Sequence, residues 1–230
     1  MTVELLGAAA ERLGDIVGEV TFVGGATIAL WIDDPGAPPV RVTDDVDVVC
    51  DVATYGAYAR LGERLYGLGF RVEIGEPVTC RWRHVPTGLV IDVMPVDEAI
   101  LGFTNQWYAA GIAAAVPREL PGGRVIRTFD PPHVVASKLA AWGGRGRGDL
   151  MTSVDAGDVF SLVNGRGALV EEIAGSSPDL VAYTSVEVEA LLNHPDVEYA
   201  LLDAAHAYGR EAPVRAAMIR ARLERLATLV

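Results

Sequence analysis

Residues 41–50 read Arg41-Val42-Thr43-Asp44-Asp45-Val46-Asp47-Val48-Val49-Cys50. Apolar and acidic residues alternate here with the period of a β-strand, which we expect over Val46–Asp51. Side chains of a strand point alternately to its two faces, so Asp45 and Asp47 share one face with their Cα atoms roughly 7 Å apart, while Val46 and Val48 face a core. Two like charges at that spacing repel unless a cation lies between them, and a divalent ion such as magnesium prefers carboxylate oxygen. The competing reading of Asp-x-Asp is an exposed strand face or a solvated acidic turn.

A second acid bears on this choice. Gly88-Leu89-Val90-Ile91-Asp92-Val93-Met94-Pro95 has the composition of a buried strand interrupted by one carboxylate. Burying it unpaired would cost several kcal/mol, so Asp92 needs a cation or a hydrogen-bond donor. One solution is a salt bridge to Arg71, Arg81 or Arg83. The other is convergence with Asp45 and Asp47 on a neighbouring strand, which is the composition of a two-metal centre for phosphoryl displacement.

Upstream, Val20-Thr21-Phe22-Val23, Gly24-Gly25 and Ala26-Thr27-Ile28-Ala29-Leu30-Trp31-Ile32 predict strand, glycine turn and buried helix. Backbone N–H groups at such a turn can face a phosphate, and glycine permits close approach. The turn is neither a Walker A loop, lacking Gly-Lys-Ser/Thr, nor a dinucleotide fingerprint, lacking the spacing. An amphipathic helix precedes this segment, over Met1–Val20. Asp33–Pro39 is a Pro-rich loop, and Tyr55–Leu68 reads as a helix. Strands are expected at Phe70–Ile74, Val78–His84 and Gly88–Met94, the last two joined by the hairpin signal Pro86-Thr87-Gly88.

After Pro95 the pattern turns helical, with helix-like stretches at 133–142, 155–163, 167–175, 185–192, 196–208 and 213–229, punctuated by Pro131, Pro178 and Pro195. The expected fold class is α/β (α+β): a small mixed sheet with flanking helices over residues 1–98, then a mostly helical domain over 99–230 that completes the active-site cleft.

The chain has 230 residues and a net charge of −12, with 50% hydrophobic and 22% charged residues. That excludes a disordered tail and a protein that coats nucleic acid over its whole surface. The two cysteines, Cys50 and Cys80, supply no disulfide framework, and no signal segment opens the chain, so a reducing cytoplasm is expected. The uncharged run Ala99–Pro117 holds Asn105, Gln106 and two glycines, and is a poor membrane span. Charge is uneven. Residues 1–50 carry two Arg against nine acids and 151–200 one Arg against nine, whereas 101–150 carry six basic residues against three. Within that basic island lies Lys138, the single lysine among nineteen basic residues. An Arg-biased chain that keeps one lysine points to a use for a compact, flexible ammonium.

Gly24-Gly25, then Arg41-x-Thr43-x-Asp45-x-Asp47, then a strand bearing Asp92, resembles the nucleotidyltransferase superfamily built on the polymerase-beta-like core. Downstream, Pro132-His133-Val134-Val135-Ala136-Ser137-Lys138-Leu139-Ala140-Ala141, then Arg145, Arg147 and Asp149, then Ser153-Val154-Asp155-Ala156-Gly157-Asp158-Val159-Phe160, resembles the AbiEii-type branch, the toxins of abortive-infection and type IV toxin–antitoxin systems. The likeness spans about residues 20–170. It implies Mg2+ or Mn2+ on Asp45, Asp47 and Asp92, with Asp92 also able to take a proton from the acceptor hydroxyl. It implies NTP phosphates beside Gly24, Gly25, Thr27 and Thr43, the triphosphate on Lys138 and Arg145, and Asp155 or Asp158 at the acidic position of the downstream helix. Thr43 stands where a Ser is usual and keeps the hydroxyl. Gly144, Gly146 and Gly148 loosen the arginine segment.

The expected activity is metal-dependent transfer of a nucleoside monophosphate from an NTP to an acceptor hydroxyl, with an RNA or tRNA 3′ end as acceptor and a cognate antitoxin as partner. The alternatives are a small-molecule (aminoglycoside-like) or protein acceptor, and a retained fold that binds a partner without turnover. Among the remaining residues, Asp155 and Asp158 share a helix face and can pair with Arg145 or Arg147, or stand on a solvated face. Trp82, Trp107 and Trp142 are core residues or base-stacking platforms. The four His are scattered, which argues against zinc.

Overall fold

The computed structural model describes residues 2–72, 80–145 and 148–230. The distal part of the expected strand at Phe70–Ile74, the start of that at Val78–His84, and Gly146 and Arg147 lie outside the described residues. Two compact units are present: Met1–Leu30 with Arg41–Asp130, and Trp31–Val40 with Pro131–Val230.

The first unit is built on a mixed seven-stranded sheet of order β3-β4-β5-β2-β1-β7-β6. The strands are β1 (Val20–Val23), β2 (Asp45–Cys50), β3 (Phe70–Val72), β4 (Arg81–His84), β5 (Val90–Pro95), β6 (Val116–Glu119) and β7 (Val125–Thr128). β2 runs antiparallel to β1 and parallel to β5, while β4 lies antiparallel to β5. Period-2 alternation sends Phe22, Val46, Val48, Trp82, Ile91 and Val93 to one face. There they are buried with Leu6 and Leu13 of α1 (Thr2–Leu13) and Leu61 and Leu65 of α2 (Tyr55–Gly67). The opposite face carries Arg81, Asp92, Asp45 and Asp47. α2 starts where Thr54 accepts a hydrogen bond from the Ala57 amide, an ordinary N-cap.

The boundary expected at residue 98 does not match the compact units. Two short helices, α3 (Glu98–Leu101) and α4 (Tyr108–Ala113), are followed by the hairpin β6–β7, and β7 pairs parallel with β1. Residues 99–130 thus complete the sheet. The readable signal was Pro121-Gly122-Gly123 between two short alternating runs: both glycines have positive φ, and the Leu120 amide donates to Arg124 O at 2.7 Å. The segment expected as a buried helix over 26–32 is a short 3-10 turn, Gly25–Leu30.

The second unit comprises α5 (Pro131–Gly144), α6 (Val154–Gly165), α7 (Leu169–Ala174), α8 (Pro178–Leu192), α9 (Val197–Ala205) and α10 (Ala212–Ala227). Prolines open α5 and α8, where no intrahelical amide is lost, and Ser153 and Ser177 cap α6 and α8. The Pro-rich segment 31–40 docks on this unit. Asp33 and Asp34 amides donate to Gly165 O at 2.9 and 3.0 Å, Arg215 pairs with Asp34, and the Arg166 guanidinium lies 5.5 Å from the Trp31 ring centre. No helix among the described residues is long and apolar enough to cross a membrane.

Candidate active site

Strand registry assembles the carboxylates. Asp47 stands directly opposite Asp92 across the parallel β2–β5 pair, and Asp45 is opposite Val90 on the same face. On the far side of β5, Arg81 of β4 is registered with Asp92. Of the three arginines that could neutralise Asp92, the fold therefore selects Arg81. Its Nε and Nη2 donate to Asp92 Oδ1 and Oδ2 at 2.9 and 2.8 Å, and Nη2 also donates to Asp45 Oδ2 at 2.7 Å. Arg71 instead donates to the carbonyls of Tyr66 and Phe70, and Arg83 to that of Gly88. Asp92 is buried, as its strand composition requires, while Asp45 is about one-third exposed, at 34% of its side chain. The fully exposed strand-face reading of Asp-x-Asp does not apply.

On the other side of β2, the glycine turn closes onto the same acids. Gly24 has φ +75°, and a Cβ there would stand 1.9 Å from Asp47 Oδ2. A Cβ on Gly25 would stand 2.5 Å from Arg41 Nη2 and 3.0 Å from Thr43 Cγ2. The diglycine is thus explained by close approach of side chains from the Arg41–Asp47 segment. Thr27 is wholly buried, and its hydroxyl donates to Gly24 O at 2.9 Å, closing the turn. Thr43 is buried and its hydroxyl has no hydrogen-bond partner among the described residues, a cost that a bound polar group at this place would relieve. Next to Arg81, burial pushes the Cys80 thiol up to about 12, with the charges of Asp92 and Asp47 adding to it. Burial likewise lifts Cys50, at the end of β2, to about 12.

The second cluster lies within the helical unit. Lys138 on α5 is buried, and its Nζ sits 3.2 Å from Asp155 Oδ1 and 2.6 Å from Asp158 Oδ2. Arg145, largely exposed, also pairs with Asp155. Two carboxylates are matched by two cations, the arrangement that lets charges persist under burial. Asp155 and Asp158 share a helix face as their spacing predicts, but that face is buried rather than solvated. The expected pairing with Arg145 is present. The one with Lys138 was missed, because sequence spacing says nothing about which face of α5 meets α6. Trp82 and Trp142 are core residues, Trp82 meeting Tyr66 edge-on at 5.2 Å, and Trp107 is half-buried.

The chain is similar to a solved nucleotidyltransferase-like protein. That structure, an antigenic nucleotidyltransferase-like protein from Paracoccidioides brasiliensis, shares 19% identity and a TM-score of 0.49, over 86% of this chain and 91% of its own. No protein-family model and no curated protein matches the sequence.

The Mg2+ or Mn2+ expected on Asp45, Asp47 and Asp92 meets a specific obstacle. The Arg81 guanidinium engages both oxygens of Asp92 and one of Asp45, placing its single positive charge between the two carboxylates. Among the described residues no group of three or more His, Cys, Asp or Glu is placed to hold a metal ion. As arranged, the donor set does not fit a two-ion centre.

Proposed function

We propose that the chain is a nucleotidyltransferase that moves a nucleoside monophosphate from an NTP to an acceptor hydroxyl, the acceptor being an RNA 3′ end such as that of tRNA, in a toxin-like role restrained by a cognate antitoxin. The observation that carries this reading is the registry of Asp47 with Asp92, with Asp45 on the same face and the Gly24–Gly25 turn against Asp47. In the reaction the acceptor oxygen attacks the α-phosphorus as its hydroxyl proton passes to water, the bond to the bridging oxygen breaks, and pyrophosphate leaves. The protein's contribution is in-line positioning and electrostatic stabilisation. Thr43, with its unsatisfied buried hydroxyl, supplies a donor for a phosphate oxygen. Lys138 and Arg145, which the resemblance assigns to the triphosphate, are held within the helical unit by Asp155 and Asp158. The acceptor preference rests on the basic stretch 101–150, in which six basic residues face three acids.

The direct test incubates labelled NTPs and bulk tRNA with the wild-type chain and with Asp47→Asn. Label transfer by the wild type and its loss in the variant is expected. Transfer undiminished in Asp47→Asn, or none to RNA, protein or small hydroxyl compounds, removes the reading.

The net charge of −12 favours a second acceptor class, a cationic aminoglycoside-like compound. Salt separates the two, since RNA affinity falls steeply with ionic strength through counterion release. A third reading, a partner-binding fold without turnover, draws on the engagement of Asp92 by Arg81 and of Lys138 by Asp158. Absence of NTP binding by calorimetry selects it.

A further inference from the structure

Arg81 occupies the place where a cation is needed. Its fork is bidentate on Asp92, the geometry in which a guanidinium binds a carboxylate most tightly, and Nη2 is shared with Asp45 at 2.7 Å. The backbone enforces this. Arg81 and Asp92 are registered partners on adjacent antiparallel strands, joined by a hairpin in which the His84 amide donates to Leu89 O and the Gly88 amide to His84 O, both at 2.8 Å. The contact is largely withdrawn from water, with side-chain exposures of 24% for Arg81 and 9% for Asp92. A guanidinium stays protonated at any physiological pH, so it neutralises Asp92 continuously. A metal ion that used Asp92 and Asp45 would have to displace a charged group already desolvated and hydrogen-bonded there.

We infer that Arg81 is the resident counter-cation of this carboxylate face and competes with divalent ions for Asp45 and Asp92. Removing it leaves Asp92 buried without that partner and Asp45 beside it, so the face then takes up a divalent ion in its place. This inference rests on the nucleotidyltransferase reading only for the kind of ion in question, and its test uses no turnover.

Mn2+ is titrated into the full-length protein by calorimetry and by the loss of the free-ion paramagnetic resonance signal. The wild type should show no saturable binding below about 1 mM, Arg81→Met should bind at least about tenfold more tightly, and Arg81→Met/Asp45→Asn should lose that gain. Equal affinity of wild type and Arg81→Met overturns the inference. So does submillimolar binding to the wild type that Asp45→Asn abolishes. Should Arg81→Met not fold, the wild type decides alone: its melting temperature should not rise with Mn2+ up to about 1 mM, and a rise that Asp45→Asn removes overturns the inference. Failure here leaves the transferase reading standing, whereas a gain of Mn2+ affinity in a protein that transfers no label removes that reading and keeps this one.

Discussion

The Asp47 carboxylate fills the space that a side chain at position 24 would take, with Oδ2 1.9 Å from where a Cβ on Gly24 would stand. The diglycine turn and the acidic strand are therefore one packing unit. Gly24→Ala must both adopt φ +75° and push Asp47 aside. Strain of this kind costs on the order of 1–3 kcal/mol before the clash is counted. Urea denaturation should show that loss, and Gly24→Ala/Asp47→Ala should regain part of it because the obstructing carboxylate is gone. Equal stability of the single and double variants would show that Asp47 moves freely.

Lys138 is held between two buried carboxylates, and truncating it takes its ammonium from both while Arg145 still pairs with Asp155. Lys138→Met should destabilise the protein by about 3–5 kcal/mol, the usual cost of breaking a buried charge network from one side. Lys138→Met/Asp158→Asn should lie closer to wild type than the single variant. Chemical denaturation reads both, and a cost below about 1 kcal/mol for Lys138→Met would mark the cluster as effectively solvated.

Cys50 and Cys80 are buried thiols pushed up to about 12 from an ordinary 9.0, chiefly by burial. At pH 8 the thiolate fraction of each is about one in ten thousand. A chromogenic disulfide reagent should therefore titrate neither thiol in the native protein and both in denaturant. Rapid native labelling of one equivalent would locate a local opening at the end of β2 or beside Arg81.

The Arg215 hydrogen bond, helped by the Gly36 amide, holds the Asp34 carboxyl below its ordinary 3.8. A carboxyl depressed on folding stabilises the native state above its unfolded value, and that stabilisation is lost as pH falls through the folded value. Asp34→Asn should lower the melting temperature by about 1–3 °C near pH 7, with the gap closing below pH 3.8. A gap independent of pH would assign the effect to packing of the 31–40 segment instead of charge.

Much of the site was legible because its signals are local. Period-2 alternation puts Asp45 and Asp47 on one face in any strand, and a carboxylate inside Val90-Ile91-Asp92-Val93 has to be neutralised wherever it is buried. The helices of the second unit were expected from their apolar spacing between Pro131, Pro178 and Pro195, although α8 starts at Pro178 and not at the expected 185. The hairpin β6–β7 went unread although Pro121-Gly122-Gly123 marks its turn, because each of its strands is only four residues long. Segment 31–40 gave no sign of docking on the helical unit, since its ties run to Gly165, Arg166 and Arg215, more than a hundred residues away.

From its residues alone this chain was committed to a mixed sheet bearing two acids on one strand face, a third acid in need of a positive partner, and a helical second half. Side-chain periodicity and the cost of buried charge act within a few residues of one another and need no tertiary context. Which cation answers Asp92, and which carboxylates hold Lys138, was decided only by the folded molecule. Those partnerships depend on strand registry and helix facing, which long-range packing selects among alternatives that are equal in local sequence.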